Sequence, residues 1–323
     1  MAATAPPVAR TAAHGSVHSG GDEPPLRRPR KRLLPSPGRM LAWVAMGAIV
    51  ALTLFPFYWM LRTALSTNSA LAGGAASALP VEPSAGGFLR ALGLQSTKEA
   101  LAEGGAGGSL DFWRYLLNSV CVSTLITVGQ VLFSAMAAYA FARLRWRGRD
   151  KVFGFVLAGL MVPPVFTLLP NFVLIKELGL VDTLVGVALP TMFMTPFAVF
   201  FLRQFFLNIS REVEEAALLD GAGKIRVFFR VILPMASGPV ATLCILTYLT
   251  AWNDYFWPLM VSYSDSSRVL TVALSVFRSQ DPQSGTDWAG LMAATVIAAL
   301  PMILLFGVLA RRVLNSIGFS GIK

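Results

Sequence analysis

Six apolar runs, each near the length that crosses a bilayer, constrain this chain more than any other feature. They lie at Met40 to Leu61 and then at about 115–142, 152–174, 184–207, 237–261 and 289–310. A helix rises 1.5 Å per residue, so about 20 apolar residues cover the hydrocarbon core of a membrane. Within lipid every backbone polar group needs an internal partner, which favours helices for runs of this length. Composition agrees, since 55% of the 323 residues are hydrophobic and only 14% are charged, against roughly 25% charged in soluble domains. The expectation is an all-α membrane protein of six transmembrane helices.

The basic residues orient it. Twenty of the 27 Lys and Arg fall in residues 1–39, the 143–151 connection, the 203–230 segment and the C-terminus; seven fall in the alternate loops. Cytoplasmic loops carry the excess of Lys and Arg. Both termini and the 203–230 segment are therefore expected in the cytoplasm, with loops 62–113 and 262–288 outside. This also disqualifies the Asn208-Ile209-Ser210 sequon. Residues 1–39, rich in Ala, Pro, Gly and Arg, are expected to form a disordered basic cytoplasmic tail. Its cluster Leu26 to Arg32 reads as a topology determinant rather than a nucleic-acid or lipid patch, and His14 and His18 there read as solvated rather than metal-bound. Residues 40–323 form the membrane domain. The run at Met40 is too long for a signal-peptide core, and the small-residue pattern Ala76-Ser77-Ala78 lies too far beyond it for cleavage.

Between the runs, Asn68 to Gly108 is rich in Ala, Gly and Ser and is expected to be a flexible outer loop. Pro163-Pro164, Pro170, Pro190 and Pro196 interrupt the third and fourth runs, either as simple bends or as breaks lining a path. Cys121 and Cys244 lie inside apolar runs and read as small buried hydrophobes. Asp254 is the one acid in the fifth run. An ionisable group at that depth is a candidate for a solute path, and structural hydrogen bonding is the equal alternative. Beside it, Trp252 and Trp257 suit either stacking on a sugar or anchoring at the interface.

The one long charged interruption is Ser210 to Pro234. Ser210 can cap a helix whose first turn holds Glu212 and Glu214. Asp220-Gly221-Ala222-Gly223 ends that helix, with Gly221 free to adopt the left-handed conformation. A second helix carries Ile225, Phe228, Phe229 and Ile232 as one apolar stripe and stops at Leu233-Pro234. The expected product is a helix–turn–helix elbow between spans four and five, with Glu215 beside the small residues Ala216 and Ala217 as a docking face. Gly221-Ala222-Gly223-Lys224-Ile225 lacks the first glycine and the Ser/Thr of a phosphate-binding loop, so the chain is expected to hydrolyse no ATP itself.

Glu215-Ala216-Ala217, Gly221 and Val231-Ile232-Leu233-Pro234 resemble the EAA loop of binding-protein-dependent ABC transporter permeases, Val231 standing where the pattern has isoleucine. Asn118-Ser119, Ala138 to Arg143, Leu202 to Phe206, Trp252-Asn253-Asp254, Trp257-Pro258-Leu259 and Thr286-Asp287-Trp288 are similar to the maltose-type carbohydrate permeases. The likeness runs from about Asn118 to the C-terminus, and the 69–109 loop departs from it most. It implies the second permease subunit of a heterodimeric pore in the bacterial inner membrane, with a cytoplasmic ABC ATPase dimer and an extracytoplasmic sugar-binding protein as partners. It further implies that Glu215, Ala216, Ala217, Asp220, Gly221, Phe228, Phe229, Leu233 and Pro234 couple to the ATPase, without cofactor or metal. Trp252, Asn253, Asp254 and Pro163 would then border the solute path. Phe277, Gln280, Asp287 and Trp288 would belong to an outer loop contacting the binding protein. Glycerol phosphate or another polar solute is the alternative cargo. A secondary transporter, the remaining alternative, would need ion-coupling acids or repeated halves; Asp254 is the one acid in a span core, and no repeated halves are evident.

Overall fold

The structure is a computed structural model that describes residues 37–74, 77–105, 111–275, 277 and 286–317. Most of the expected tail, with His14, His18 and the 26–32 cluster, lies outside the described residues, as does Gln280. The regular elements described are helices, joined by one isolated bridge between Ser66 and Pro83. Contacts divide the chain into two units, Met1–Thr53 and Leu54–Lys323. In the first, residues from Pro37 form the opening of α1 (Pro37–Ala64).

The second unit is organised around α5 (Phe112–Arg143), which packs against α8 (Leu184–Met192), α9 (Pro196–Leu207) and α13 (Ser237–Trp252). Small residues allow the close approach. Ala135, Ala138 and Ser134 of α5 are fully buried and meet Ala198, Leu202 and Phe206 of α9, also fully buried. The last long helix, α16 (Trp288–Ile317), lies against α13 and α3 (Gly86–Ala91).

Three helices, beginning at Gly38, Phe112 and Trp288, are each long and apolar enough to cross a membrane. The third and fourth runs are broken, as their prolines suggested, and the fifth is broken as well. Helix α6 (Arg149–Ala158) and its 3-10 extension Gly159–Met161 meet α7 (Pro164–Glu177) at 102°. Pro163-Pro164 forces this bend, because the residue before a proline is driven out of the helical region and Pro163 sits at ψ 135°. Helices α8 and α9 meet at 49°, with Thr195 capping the restart by accepting from Ala198 N–H at 3.4 Å. Pro170 and Pro190 remain inside helices. The fifth run stops at Trp252 and resumes as α14 (Phe256–Val261). Counting each bent pair as one span gives up to six.

The segment expected to be the first outer loop departs most from expectation. Instead of a flexible loop, residues 68–102 contain α2 (Asn68–Ala72), α3 and α4 (Thr97–Ala102). Arg90, 3% exposed, donates through Nε to Asp287 Oδ2 and through Nη1 to Glu103 Oε2, both at 2.8 Å. Asn68 accepts from Trp288 N–H at 2.9 Å and donates to Gly104 O at 2.6 Å. Gly87 sits so close to the backbone of Ala64 and Ala289 that a Cβ would come within 2.8 Å of both carbonyl oxygens. Burial pushes the Glu103 carboxyl up, but hydrogen bonds from Arg90, Ser84 and Gln95 and the Arg90 charge outweigh it and leave the group below its ordinary value.

Candidate functional site

The elbow begins where Ser210 accepts from Glu212 N–H at 3.3 Å, opening α10 (Arg211–Leu219). It ends in two bonds, Gly221 N–H to Leu218 O at 3.1 Å and Ala222 N–H to Ala217 O at 3.0 Å, with Gly221 at φ 81°. This pairing is the Schellman arrangement and needs a left-handed residue at Gly221. The second arm runs through α11 (Lys224–Val227), a π turn over Phe228–Ile232 and α12 (Leu233–Met235). The π turn corrects the expected apolar stripe. The wider turn brings Val227 onto the same face as Ile232 five residues on, so Val227, Phe228 and Ile232 face inward, while Ile225 is 75% and Phe229 46% exposed.

Phe228 packs on Tyr139 of α5 at 5.3 Å between ring centres. Tyr139 Oη donates to Glu214 at 3.1 Å, and Arg143 lies 3.8 Å from the same carboxylate. Arg143 also donates to the carbonyls of Phe206 and Ile209. The elbow is thus seated on the ends of α5 and α9. What it leaves outward is Glu215, Ala216, Asp220 and Gly221 with Leu218, Leu219, Ile225 and Phe229. Ala217 and Leu233 are half-buried and Pro234 is exposed. Surface apolar residues gathered at one turn have the composition of a surface that contacts protein or membrane.

A second feature is a cleft of about 280 Å³ among α5, α8, α9 and α13, bordered by Gln130, Thr191, Thr195, Thr247, Thr250 and Asp254 with apolar neighbours. Gln130 Nε2 donates to Thr195 Oγ1 at 3.1 Å and to Thr247 Oγ1 at 3.4 Å. Of the residues expected on a solute path, Asp254 alone borders this cleft. Asp254 stands at the break between α13 and α14, where its backbone carbonyl accepts from the Thr271 hydroxyl at 2.7 Å. Trp252 is 5% exposed and stacks on Tyr248 at 6.0 Å, so its face is closed to a sugar in this conformation. Asn253 turns its amide back to Leu249 O at 2.8 Å. Pro163 lies at the α6–α7 break and does not line the cleft. The hydroxyl-bearing residues were missed, although Gln130, Thr247 and Thr250 inside apolar runs were a readable signal.

In the segment expected to form the last outer loop, Phe277 and Asp287 are 2% exposed. Asp287 is held by Arg90 and accepts from Gly290 N–H at 2.8 Å. The side chains of Phe277 and Asp287 fill the interior in this conformation, whereas Trp288 is half exposed. Asp182, at φ 63°, gathers the neighbouring loop by accepting from Tyr263 N–H at 2.8 Å, Ser264 N–H at 2.9 Å and the Ser267 hydroxyl. The Ser264 backbone and the Ser267 hydroxyl hold its carboxyl well below the usual range. Cys121 lies exposed on α5, contrary to expectation, and Cys244 is half-buried.

Residues 130–317, more than half of the chain, match the family described as the binding-protein-dependent transport system inner membrane component. The chain belongs to that family. This transport component is 36% identical over 205 residues to the diacetylchitobiose uptake system permease protein NgcG of Streptomyces coelicolor, covering 63% of this chain and 68% of that one. It is 34% identical to the arabinooligosaccharides transport system permease protein AraQ of Halalkalibacterium halodurans, over 66% of this chain and 75% of that one. It is 35% identical to the sn-glycerol-3-phosphate transport system permease protein UgpE of Yersinia pestis, over 62% and 70%. The fold is shared with a bacterial ABC transporter involved in the import of the acidic polysaccharide alginate, at TM-score 0.69 and 24% identity over 84% of this chain and 95% of that one. The family is one of transporter components rather than catalytic enzymes. The elbow falls within the matched residues, as do the polar residues of the cleft from Gln130 to Asp254.

Proposed function

We propose that this transport component is the transmembrane permease subunit of an ATP-driven importer for a carbohydrate. In this reading the chain crosses the bacterial inner membrane six times, with both termini and the elbow in the cytoplasm, as the excess of basic residues on that side supports. A second permease subunit completes the pore. A separate ATPase dimer seats the elbow, and a binding protein delivers solute from outside. The observation that carries the reading is the elbow itself. Its inner side is anchored through Phe228, Ile232 and Glu214 to α5, while Glu215, Ala216, Gly221 and four large apolar residues face outward. A rigid body held at the root of α5 and α9 transmits the displacement of whatever it is docked to.

Carbohydrate is favoured over phosphate-bearing cargo by the cleft. Its lining supplies four threonine hydroxyls and a glutamine amide, suited to a ligand of many hydroxyls, and no Lys or Arg among the described residues. The relatives named for diacetylchitobiose and arabinooligosaccharides agree with that choice. The test is affinity purification of the assembled complex. Glu215→Arg, which reverses charge on an exposed side chain, is expected to remove the ATPase from the complex while the chain stays in the membrane fraction. ATPase recovered at the wild-type ratio sinks the docking assignment.

A further inference from the structure

We propose that the basic cleft between the end of α5 and the starts of α6 and α10 binds the phosphate headgroup of an anionic phospholipid. The cleft encloses about 570 Å³, and Arg145, Arg149, Lys151 and Arg211 line it together with Trp146. Asp150 is the one acid in the lining, and it already pairs with Arg149 at 3.0 Å. Among the described residues, no carboxylate lies within ion-pair distance of Arg145, Lys151 or Arg211. Three unpaired cations on the wall of one cavity repel each other and attract an anion entering between them. The start of α6 adds to this field. Gly148, at φ 84°, opens the helix and has no side chain to cap it, so the positive end of a ten-residue helix borders the cleft.

The depth of the cleft selects a lipid as the source of that anion. Trp146 packs on Phe141 of α5 at 5.8 Å, reaches Ala140 O through Nε1 at 3.4 Å and leaves 41% of its surface exposed. An amphipathic ring in that setting, beside the end of an apolar 32-residue helix, stands at the level of lipid headgroups. Basic pockets between spanning helices on the cytoplasmic side are suited to anionic headgroups. Orientation in the membrane alone would be served equally by cations scattered around the loop. It requires neither their convergence nor their separation from acids. The inference rests on reading α5 and the α6–α7 pair as membrane-spanning.

The test uses the full-length chain, delipidated in detergent and titrated with phosphatidylglycerol or phosphatidylcholine under native mass spectrometry. The wild type is expected to take up one phosphatidylglycerol in preference to phosphatidylcholine. Each cation near the surface contributes about fivefold, so Arg145→Gln/Lys151→Gln/Arg211→Gln is expected to bind it about 100-fold more weakly. Lys151→Gln alone, a milder change, is expected to lose about fivefold. Lys98→Gln/Arg114→Gln/Lys176→Gln removes the same charge elsewhere and is expected to leave the affinity unchanged. Equal binding of the two lipids, undiminished binding by the cleft variants or an equal loss in the second triple variant each overturns the proposal. Competition by millimolar inorganic phosphate reassigns the cleft to a free anion and overturns the lipid. Extraction of membranes with alkaline carbonate separates the two readings: a chain released as soluble protein defeats the spanning assignment, whereas a retained chain without lipid preference defeats only the cleft.

Discussion

Replacing Gly221 by valine tests whether the elbow depends on a left-handed turn. The backbone there has φ 81°, and a Cβ built on it meets nothing within 4 Å. The cost of a side chain is therefore conformational, with no steric clash to confuse it. A non-glycine residue in this region costs roughly 1–2 kcal/mol, and a β-branched one falls at the upper end. That cost lowers the population of the closed turn by about 5- to 30-fold. The opened turn gives up the bonds of Gly221 and Ala222 to Leu218 and Ala217 and frees Glu215, Ala216 and Ala217 from their fixed relation to α11. Hydrogen exchange at the Ala222 amide, measured on the chain in lipid nanodiscs, should accelerate by the same factor. Asparagine visits the left-handed region routinely, so Gly221→Asn should exchange close to the wild-type rate. Equal acceleration in the two variants, or none in the valine variant, refutes the argument from backbone conformation.

Other outcomes follow from the outer side. Asp287→Leu leaves the buried Arg90 guanidinium with Glu103 as its one carboxylate partner among the described residues and should lower stability in detergent by about 1–3 kcal/mol. The double change Arg90→Leu/Asp287→Leu should cost less than the sum of its parts, and additivity within about 0.5 kcal/mol contradicts the pairing. Asp182 has a folded-state pKa below its unfolded value, so the stabilisation it gives the 262–268 loop is complete above about pH 4 and is lost as pH falls further. Protease nicking of that loop should rise on acidification below pH 4. In Asp182→Asn it should already be raised at neutral pH, and a wild-type pattern in that variant disproves the role.

The helical class and the glycine turn were legible because both are local. Apolar runs measure their own length, and Asp220-Gly221 announces the end of a helix whose start Ser210 already marks. The proline pair at Pro163 was legible as an interruption, but not as a bend of 102°, since the angle depends on what α7 packs against. The π turn was invisible because periodicity assumes 3.6 residues per turn, and one wide turn exchanges Phe229 for Val227 on the inner face. The outer segment misled because composition predicts the behaviour of a chain left to itself. Residues 68–102 are held instead by Arg90 and Asp287, which are 197 positions apart, and by the close seat of Gly87. The same pairing withdraws Asp287 from the surface. The threonines of the cleft were individually ordinary and became a site only when α5, α8, α9 and α13 brought them together.

The central claim is that energy enters this subunit through the elbow and from a separate ATPase. Its most direct test is ATP-driven uptake of a labelled oligosaccharide by proteoliposomes carrying the whole complex, with hydrolysis measured in the same vesicles. The account predicts that Glu215→Arg abolishes accumulation, and that this chain reconstituted alone neither hydrolyses ATP nor concentrates the sugar. Uptake at the wild-type rate by the Glu215→Arg complex, or hydrolysis by the chain on its own, contradicts it.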